Sequence, residues 1–165
     1  DIALVNSANF RGSITPGQVT ERDISSIFPF ANKLYKVKIN EKDVVDAVKA
    51  CGKSLSSKNS KPGIMQVSGL TYSLDKSGKL KSMAFIDKQG RKQNINIDNP
   101  DENKIYTAVY DGFLVNGGDN LSMLKRSEKD IIQKYSFDKD KIAIDYIKSL
   151  KQPFEVRKDN RIQIN

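Results

Sequence analysis

The sequence has no histidine, no tryptophan and one cysteine, Cys51. Without histidine there can be no Ser-His-Asp triad, no Cys-His nucleophile pair and no imidazole-bound zinc. A metal held by this chain would need carboxylates alone, which suit Mg²⁺ or Ca²⁺ better than Zn²⁺. Hydrolysis run from within the chain is therefore not expected. One cysteine excludes an internal disulfide and any multi-cysteine zinc cluster. No apolar run approaches the roughly 20 residues that span a bilayer, so no transmembrane segment is expected. A starting methionine and a signal-like stretch are also lacking. The chain begins at Asp1 and reads as a fragment or processed piece of something larger.

What is present suits one domain. Over 165 residues, 38% are apolar, and six Tyr and seven Phe are enough to build a core. The net charge of +8 is unevenly placed. Residues 51–100 hold nine basic and three acidic side chains, net +6, while the segments on either side are each net +1. Such an excess is either a solvated lysine-rich face or a patch for nucleic acid or an anionic surface. The basic residues alternate with Ser, Gly and apolar positions, and no run of five or more occurs. That favours the solvated face, and no nucleic-acid partner is expected.

Periodicity predicts the elements. Residues 1–5 read as a short buried strand, followed by a loop over 6–17. Thr20 caps a short helix, with Asp23 completing a capping box and Ile24 and Ile27 facing inward. Pro29 ends it. Residues 34–39 alternate, with Tyr35, Val37 and Ile39 on one face of a strand. Asn40 caps a helix whose apolar stripe is Val44, Ala47, Val48 and Cys51, with Gly52 as its C-cap. Cys51 on that stripe reads as a buried, inert thiol. Residues 53–63 form a Ser/Lys-rich loop. Strands are predicted at 64–67, 70–75, 79–87, 95–97 and 104–110. Residues 111–120 read as a Gly-rich loop. Ser127 and Asp138 are expected to cap two C-terminal helices, the second burying Ala143, Tyr146, Ile147 and Leu150. Residues 161–164 close the chain as a strand. The fold class is α+β: a mixed, mainly antiparallel sheet with packed helices.

Two loops carry candidate chemistry. The first, Asn6-Ser7-Ala8-Asn9-Phe10-Arg11, follows a buried strand. Backbone N–H groups pointing into its turn and the Arg11 guanidinium would suit phosphate or carboxylate. Taken alone the signal is weak, and an ordinary turn with a surface arginine is the commoner reading. The second runs from Asp111 through Phe113, Gly117, Gly118 and Asp119 to Asn120. Asp119 has the chemistry to accept from a ribose diol, and Phe113 offers a flat face. The competing reading is a connection whose phenylalanine plugs the core.

Four motifs in order resemble the C-terminal domain of 5′-nucleotidases, a group that includes ecto-5′-nucleotidases and bacterial UDP-sugar hydrolases. They are Asn6-Ser7-x-x-x-Arg11, Phe28-Pro29-Phe30-Ala31-Asn32, Gln66-Val67-Ser68-Gly69-Leu70 and Phe113-Leu114-x-Asn116-Gly117-Gly118-Asp119. The resemblance implies one substrate-binding domain over residues 1–165, lacking its N-terminal part. It implies that Phe30 and Phe113 sandwich a nucleotide base. Asp119 would hold the ribose hydroxyls, Arg11 would contact phosphate with support from Asn6, and Asn32 would meet the base edge. No cofactor is expected in this chain. Two divalent metals and the catalytic groups are expected in a separate N-terminal metallophosphoesterase domain, with an extracellular, cell-surface or periplasmic location. The parent would be a 5′-nucleotidase-type hydrolase, and this chain alone would not be catalytic. The rival is a non-catalytic nucleoside-binding or surface module of the same fold. One departure stands out: the family loop usually reads Asn-Ser-Gly-Gly-Ile-Arg, and here Ala8 and Asn9 replace the glycines. Asn tolerates left-handed geometry and Ala does so poorly, so a reshaped phosphate loop is expected.

Overall fold

The computed structural model describes residues 1–57 and 61–165, so residues 58–60 of the expected Ser/Lys-rich loop lie outside the described residues. Two sheets share one core. The larger has strand order β3-β1-β7-β2-β8, formed by β1 (Ile2–Asn6), β2 (Lys33–Asn40), β3 (Met65–Ser68), β7 (Ile105–Asp111) and β8 (Ile131–Asp138). The smaller has order β6-β5-β4-β9, formed by β4 (Leu70–Leu74), β5 (Leu80–Ile86), β6 (Lys92–Asn94) and β9 (Ile162–Ile164). The α+β class holds, with two mainly antiparallel sheets where one was expected. Among the described residues, only β1–β7 and β4–β9 are parallel pairs.

Helix α2 (Glu41–Gly52) joins the layers. Asn40 accepts from the Asp43 amide at 2.7 Å and so starts the helix as predicted. Its apolar face, Val44, Val45, Ala47, Val48 and Cys51, is buried. It packs with Leu4, Val37, Ile39, Met65, Leu74 and Leu80 from both sheets into one cluster. Gly52 lies inside the helix with φ −56°, so it is not a left-handed cap. It is needed for close approach, since a Cβ there would sit 2.2 Å from the Gly78 carbonyl oxygen. Helix α1 (Glu21–Ile27) carries the reciprocal Thr20–Asp23 capping box, and Ile24 is buried.

Three predicted elements need correction. The strand placed at 95–97 occurs at 92–94, and Ile95 continues only through its N–H, which donates to the Met83 carbonyl at 2.9 Å. Ser127 does not start a helix. A single turn over Glu128–Asp130 leads into β8, where alternation of Ile131, Gln133, Tyr135 and Phe137 matches a strand paired with β2. Helix α4 (Lys139–Ser149) does follow Asp138, but Ile144 is its buried apolar residue and Tyr146 is 64% exposed. That helix leans on α1, where Ser25 donates to Asp140 at 2.9 Å and Lys148 pairs with Glu21.

The basic middle segment is spread over the smaller sheet, with Lys76, Lys79, Lys81, Lys88, Arg91 and Lys92 all exposed. Among the described residues no helix is long and apolar enough to cross a membrane.

Candidate functional site

Strands β1 and β7 lie side by side and parallel, with Ile2 opposite Ala108 and Ala3 opposite Val109. Their C-terminal ends therefore reach the same edge of the sheet, a usual place for ligand sites beside parallel strands. Strand β2 runs antiparallel to β7, with Leu34 opposite Asp111. The segment before β2 thus arrives at that same edge. Topology alone brings together the loop after β1, the loop before β2 and the loop after β7. These carry Asn6 and Arg11, Phe30 and Asn32, and Phe113 and Asp119 respectively.

The first two loops are stitched to each other. The Arg11 amide donates to the Ile27 carbonyl at 3.1 Å. Phe10 and Phe28 meet edge to face, with centroids 5.3 Å apart. The exposed Arg11 guanidinium lies 5.7 Å from the centroid of Phe30, a cation–π contact at the surface. Phe30 is 44% exposed. Asn32 is half-buried, in a tight turn where its amide donates to the Phe30 carbonyl at 2.8 Å.

The expectation that backbone N–H groups of this loop face an anion does not hold. Ser7 donates to Ile64 O at 2.9 Å, Ala8 to Pro62 O at 3.2 Å and Phe10 to Ser7 O at 3.0 Å. The Arg11 amide is also engaged, so four amides of this loop are spent on protein carbonyls. Nor does Asn9 adopt left-handed geometry. Residues 7–9 form one 3₁₀ turn, and Asn9 is absent from the positive-φ positions. Its side chain explains its place, since it is buried and donates both to Asn6 Oδ1 at 2.5 Å and to Asp111 Oδ2 at 3.2 Å.

The loop after β7 is more ordered than predicted. Asp111 caps the one-turn helix α3 (Gly112–Val115) by accepting from the Leu114 amide at 3.1 Å. Leu114 and Val115 point into the core, whereas Phe113 is 39% exposed. Its ring lies against Gly118, where a Cβ would come within 2.5 Å of ring carbons. Gly118 is therefore required by the ring above it. Asp119 has φ 54° and ψ 32°, in the left-handed region. That conformation costs an L-residue roughly 1–2 kcal/mol, less for Asp than for most. Asn6, fully buried, offsets it by donating to Asp119 Oδ2 at 2.7 Å.

Behind these side chains runs a polar chain that the sequence did not announce. Lys139, the first residue of α4, is buried and donates to Asp111 Oδ2 at 2.9 Å. Asn9, Asp111 and Lys139 are all missing from the expected site. One local signal marks Lys139, a cation in the first turn of a helix, where acidic residues are favoured. Arg126 is another unannounced anchor. It pairs with Asp43 at 2.9 Å and donates to the carbonyls of Lys38 and Met123, fastening the segment after the Gly-rich loop to α2. Cys51 is buried as predicted. Burial, with a smaller effect from the Asp119 charge, pushes its thiol up to about 12. Among the described residues no group of three or more Cys, Asp or Glu side chains could hold a metal ion.

Comparison with known proteins gives this arrangement a family. The family described as 5′-nucleotidase, C-terminal domain, matches residues 1–126, which include all four motifs. No curated protein sequence matches significantly. Among solved structures, a 5′-nucleotidase precursor from Thermus thermophilus superposes with TM-score 0.80 at 25% identity, over 99% of this chain and 31% of its own. The NAD nucleotidase of Haemophilus influenzae gives 0.79 at 22%, over 100% of this chain and 30% of its own. A putative 5′-nucleotidase from Staphylococcus aureus gives 0.67 at 15%, over 99% and 33%. The chain spans about a third of the length of these relatives. With the family matched across most of its length and the same architecture in each neighbour, this chain belongs to the 5′-nucleotidase C-terminal domain family.

Proposed function

We propose that this chain is the nucleotide-recognition domain of a 5′-nucleotidase-type phosphohydrolase. Phe30 and Phe113 take the base between them, and Asp119 accepts from the ribose hydroxyls. Arg11 meets phosphate with Asn6 behind it, and Asn32 faces the base edge. The observation that carries this reading is the meeting of three loops at one sheet edge. They present two large aromatic rings, each about two-fifths exposed, beside an arginine and a buried-anchored carboxylate. The exposed faces of both rings are available to stack on a flat base.

The metal-binding chemistry expected of such a hydrolase does not fit this chain, whose described residues form no metal cluster. It belongs in this reading to a separate N-terminal metallophosphoesterase domain carrying two divalent ions. The site is expected on the extracellular, cell-surface or periplasmic side.

Isothermal titration of the full-length protein tests the reading with three ligands. AMP and adenosine should bind, and Phe30→Ala should weaken both by roughly 5- to 150-fold, as the loss of one stacked base predicts. Ribose 5-phosphate, which has no base, should bind equally to both proteins. Equal effects on all three ligands would refute base stacking at Phe30.

A further inference from the structure

We propose that Lys139 is a positioning residue for the nucleoside site, acting through Asp111, Asn9 and Asn6 on the two groups that would touch the ligand. This rests on reading Asp119 and Phe113 as nucleoside contacts. Lys139 lies beyond the residues matched by the family, on a helix that otherwise packs against α1.

The hydrogen bonds form one directed chain. Lys139 Nζ donates to Asp111 Oδ2 at 2.9 Å, and Asn9 Nδ2 donates to the same oxygen at 3.2 Å. Asn9 Nδ2 also donates to Asn6 Oδ1 at 2.5 Å, and Asn6 Nδ2 donates to Asp119 Oδ2 at 2.7 Å. The direction is forced by chemistry. An ionised carboxylate only accepts, so each end of the chain must be met by an NH₂ group. Asn6 therefore turns its amide nitrogen to Asp119 and leaves its oxygen for Asn9. Asn9 must in turn present its nitrogen to both neighbours. Flipping Asn6 would set oxygen against oxygen at Asp119, and flipping Asn9 would do so at both Asp111 and Asn6.

Asp111 is the hub. Its Oδ2 serves Lys139 and Asn9, while Oδ1 accepts from the Leu114 amide and holds the turn that carries Phe113. One carboxylate thus sets both the ribose-facing group and the base-facing ring. The side chain of Asp111 is 4% exposed and that of Lys139 is 7% exposed, so the carboxylate has little water to replace a lost ammonium. A cation at the start of a helix opposes the helix dipole, and a buried ion pair is rarely the most stabilising choice. Lys139 breaks both rules. Local rules broken without a stability gain are expected where a site is being shaped.

The experiment compares the full-length wild type with Lys139→Met and with the double variant Lys139→Met/Asp111→Asn. Three readouts are taken: melting temperature, adenosine affinity, and the side-chain NH₂ resonances of Asn6 and Asn9 by NMR. Lys139→Met strands a buried carboxylate, so it should melt earlier and bind adenosine roughly tenfold more weakly, the size of one lost hydrogen bond. The double variant removes the stranded charge and should recover most of the melting temperature. It should not recover affinity. The new amide at position 111 has one acceptor oxygen for two jobs, capping the Phe113 turn and holding Asn9. Adenosine affinity should stay at least about fivefold below wild type, with the Asn6 resonances still displaced.

If Lys139 only stabilises the fold, Lys139→Met melts earlier while adenosine affinity and the Asn6 resonances keep their wild-type values, and the proposal fails. Wild-type affinity in the double variant would overturn the role of Asp111 as the hub through which Lys139 acts. Should Lys139→Met not fold, Lys139→Gln, which keeps a donor without the charge, is measured in its place, and unchanged affinity and Asn6 resonances there would sink the proposal. If wild type binds no adenosine, the nucleoside reading is what fails. The Asn6 resonances of the variants then still decide whether Lys139 aligns the chain.

Discussion

Replacing Phe113 with alanine separates a stacking surface from a core plug, because the two roles move different quantities. The ring is 39% exposed and rests on Gly118, while Leu114 and Val115 fill the core beside it. Fully burying a phenylalanine is worth about 1.5–3 kcal/mol, so losing this partly covered ring should cost roughly 1–2 kcal/mol of stability. For a chain of this size that is a fall of about 2–8 °C in melting temperature. A core phenylalanine would cost about 3–5 kcal/mol. On the ligand side, stacking of one base on one ring is worth about 1–3 kcal/mol. KM for AMP in the full-length enzyme should therefore rise roughly 5- to 150-fold. Ribose 5-phosphate should respond little, since it offers no base. The assays are calorimetric melting and phosphate release under matched conditions, with both substrates measured on the same preparation. A fall in melting temperature well above about 8 °C with no base-dependent change in KM would mean that Phe113 is core and that no clamp exists.

Two further outcomes concern groups away from the site. Burial pushes the Glu41 carboxyl up. Hydrogen bonds from Tyr106 at 2.6 Å and the Asp101 amide at 3.2 Å, with Lys104 at 2.9 Å, outweigh this and hold it below its ordinary value of 4.5. A depressed carboxyl stabilises the fold above its unfolded value, and that contribution is lost as pH falls through the folded value. Glu41→Gln should then lower stability at pH 7 by about 1–3 kcal/mol, with the gap to wild type closing below about pH 4.5 in urea titrations. A gap independent of pH would refute the linkage. The Cys51 thiol, raised to about 12 by burial, should not react with a disulfide reagent at about pH 8 until denaturant is added. Prompt labelling of the native protein would overturn its placement in the core.

Much of this protein was determined by the sequence alone. The Thr20–Asp23 box, the Asn40 cap and the buried stripe through Cys51 follow from spacings of three and four residues, which local helix geometry enforces. The four family motifs fall within residues 1–126, and the family match covers that same span. Other features were decided only in three dimensions. Residues 131–138 alternate as a strand should, but the cap signal at Ser127 competed, and only pairing with β2 chose between them. Gly52 looked like a helix cap, and its reason is a contact with Gly78, 26 positions away. The amides of the loop after β1 looked free for an anion until the 62–64 carbonyls came to meet them. The chain from Lys139 to Asp119 is the clearest case. Its links from Asn6 to Asp119, Asn9 to Asp111 and Asp111 to Lys139 span 113, 102 and 28 positions. No local pattern couples residues at such separations. They meet because β1 and β7 run parallel to one sheet edge and α4 starts beside it, and burial of Asn6, Asn9, Asp111 and Lys139 makes their pairing to one another necessary.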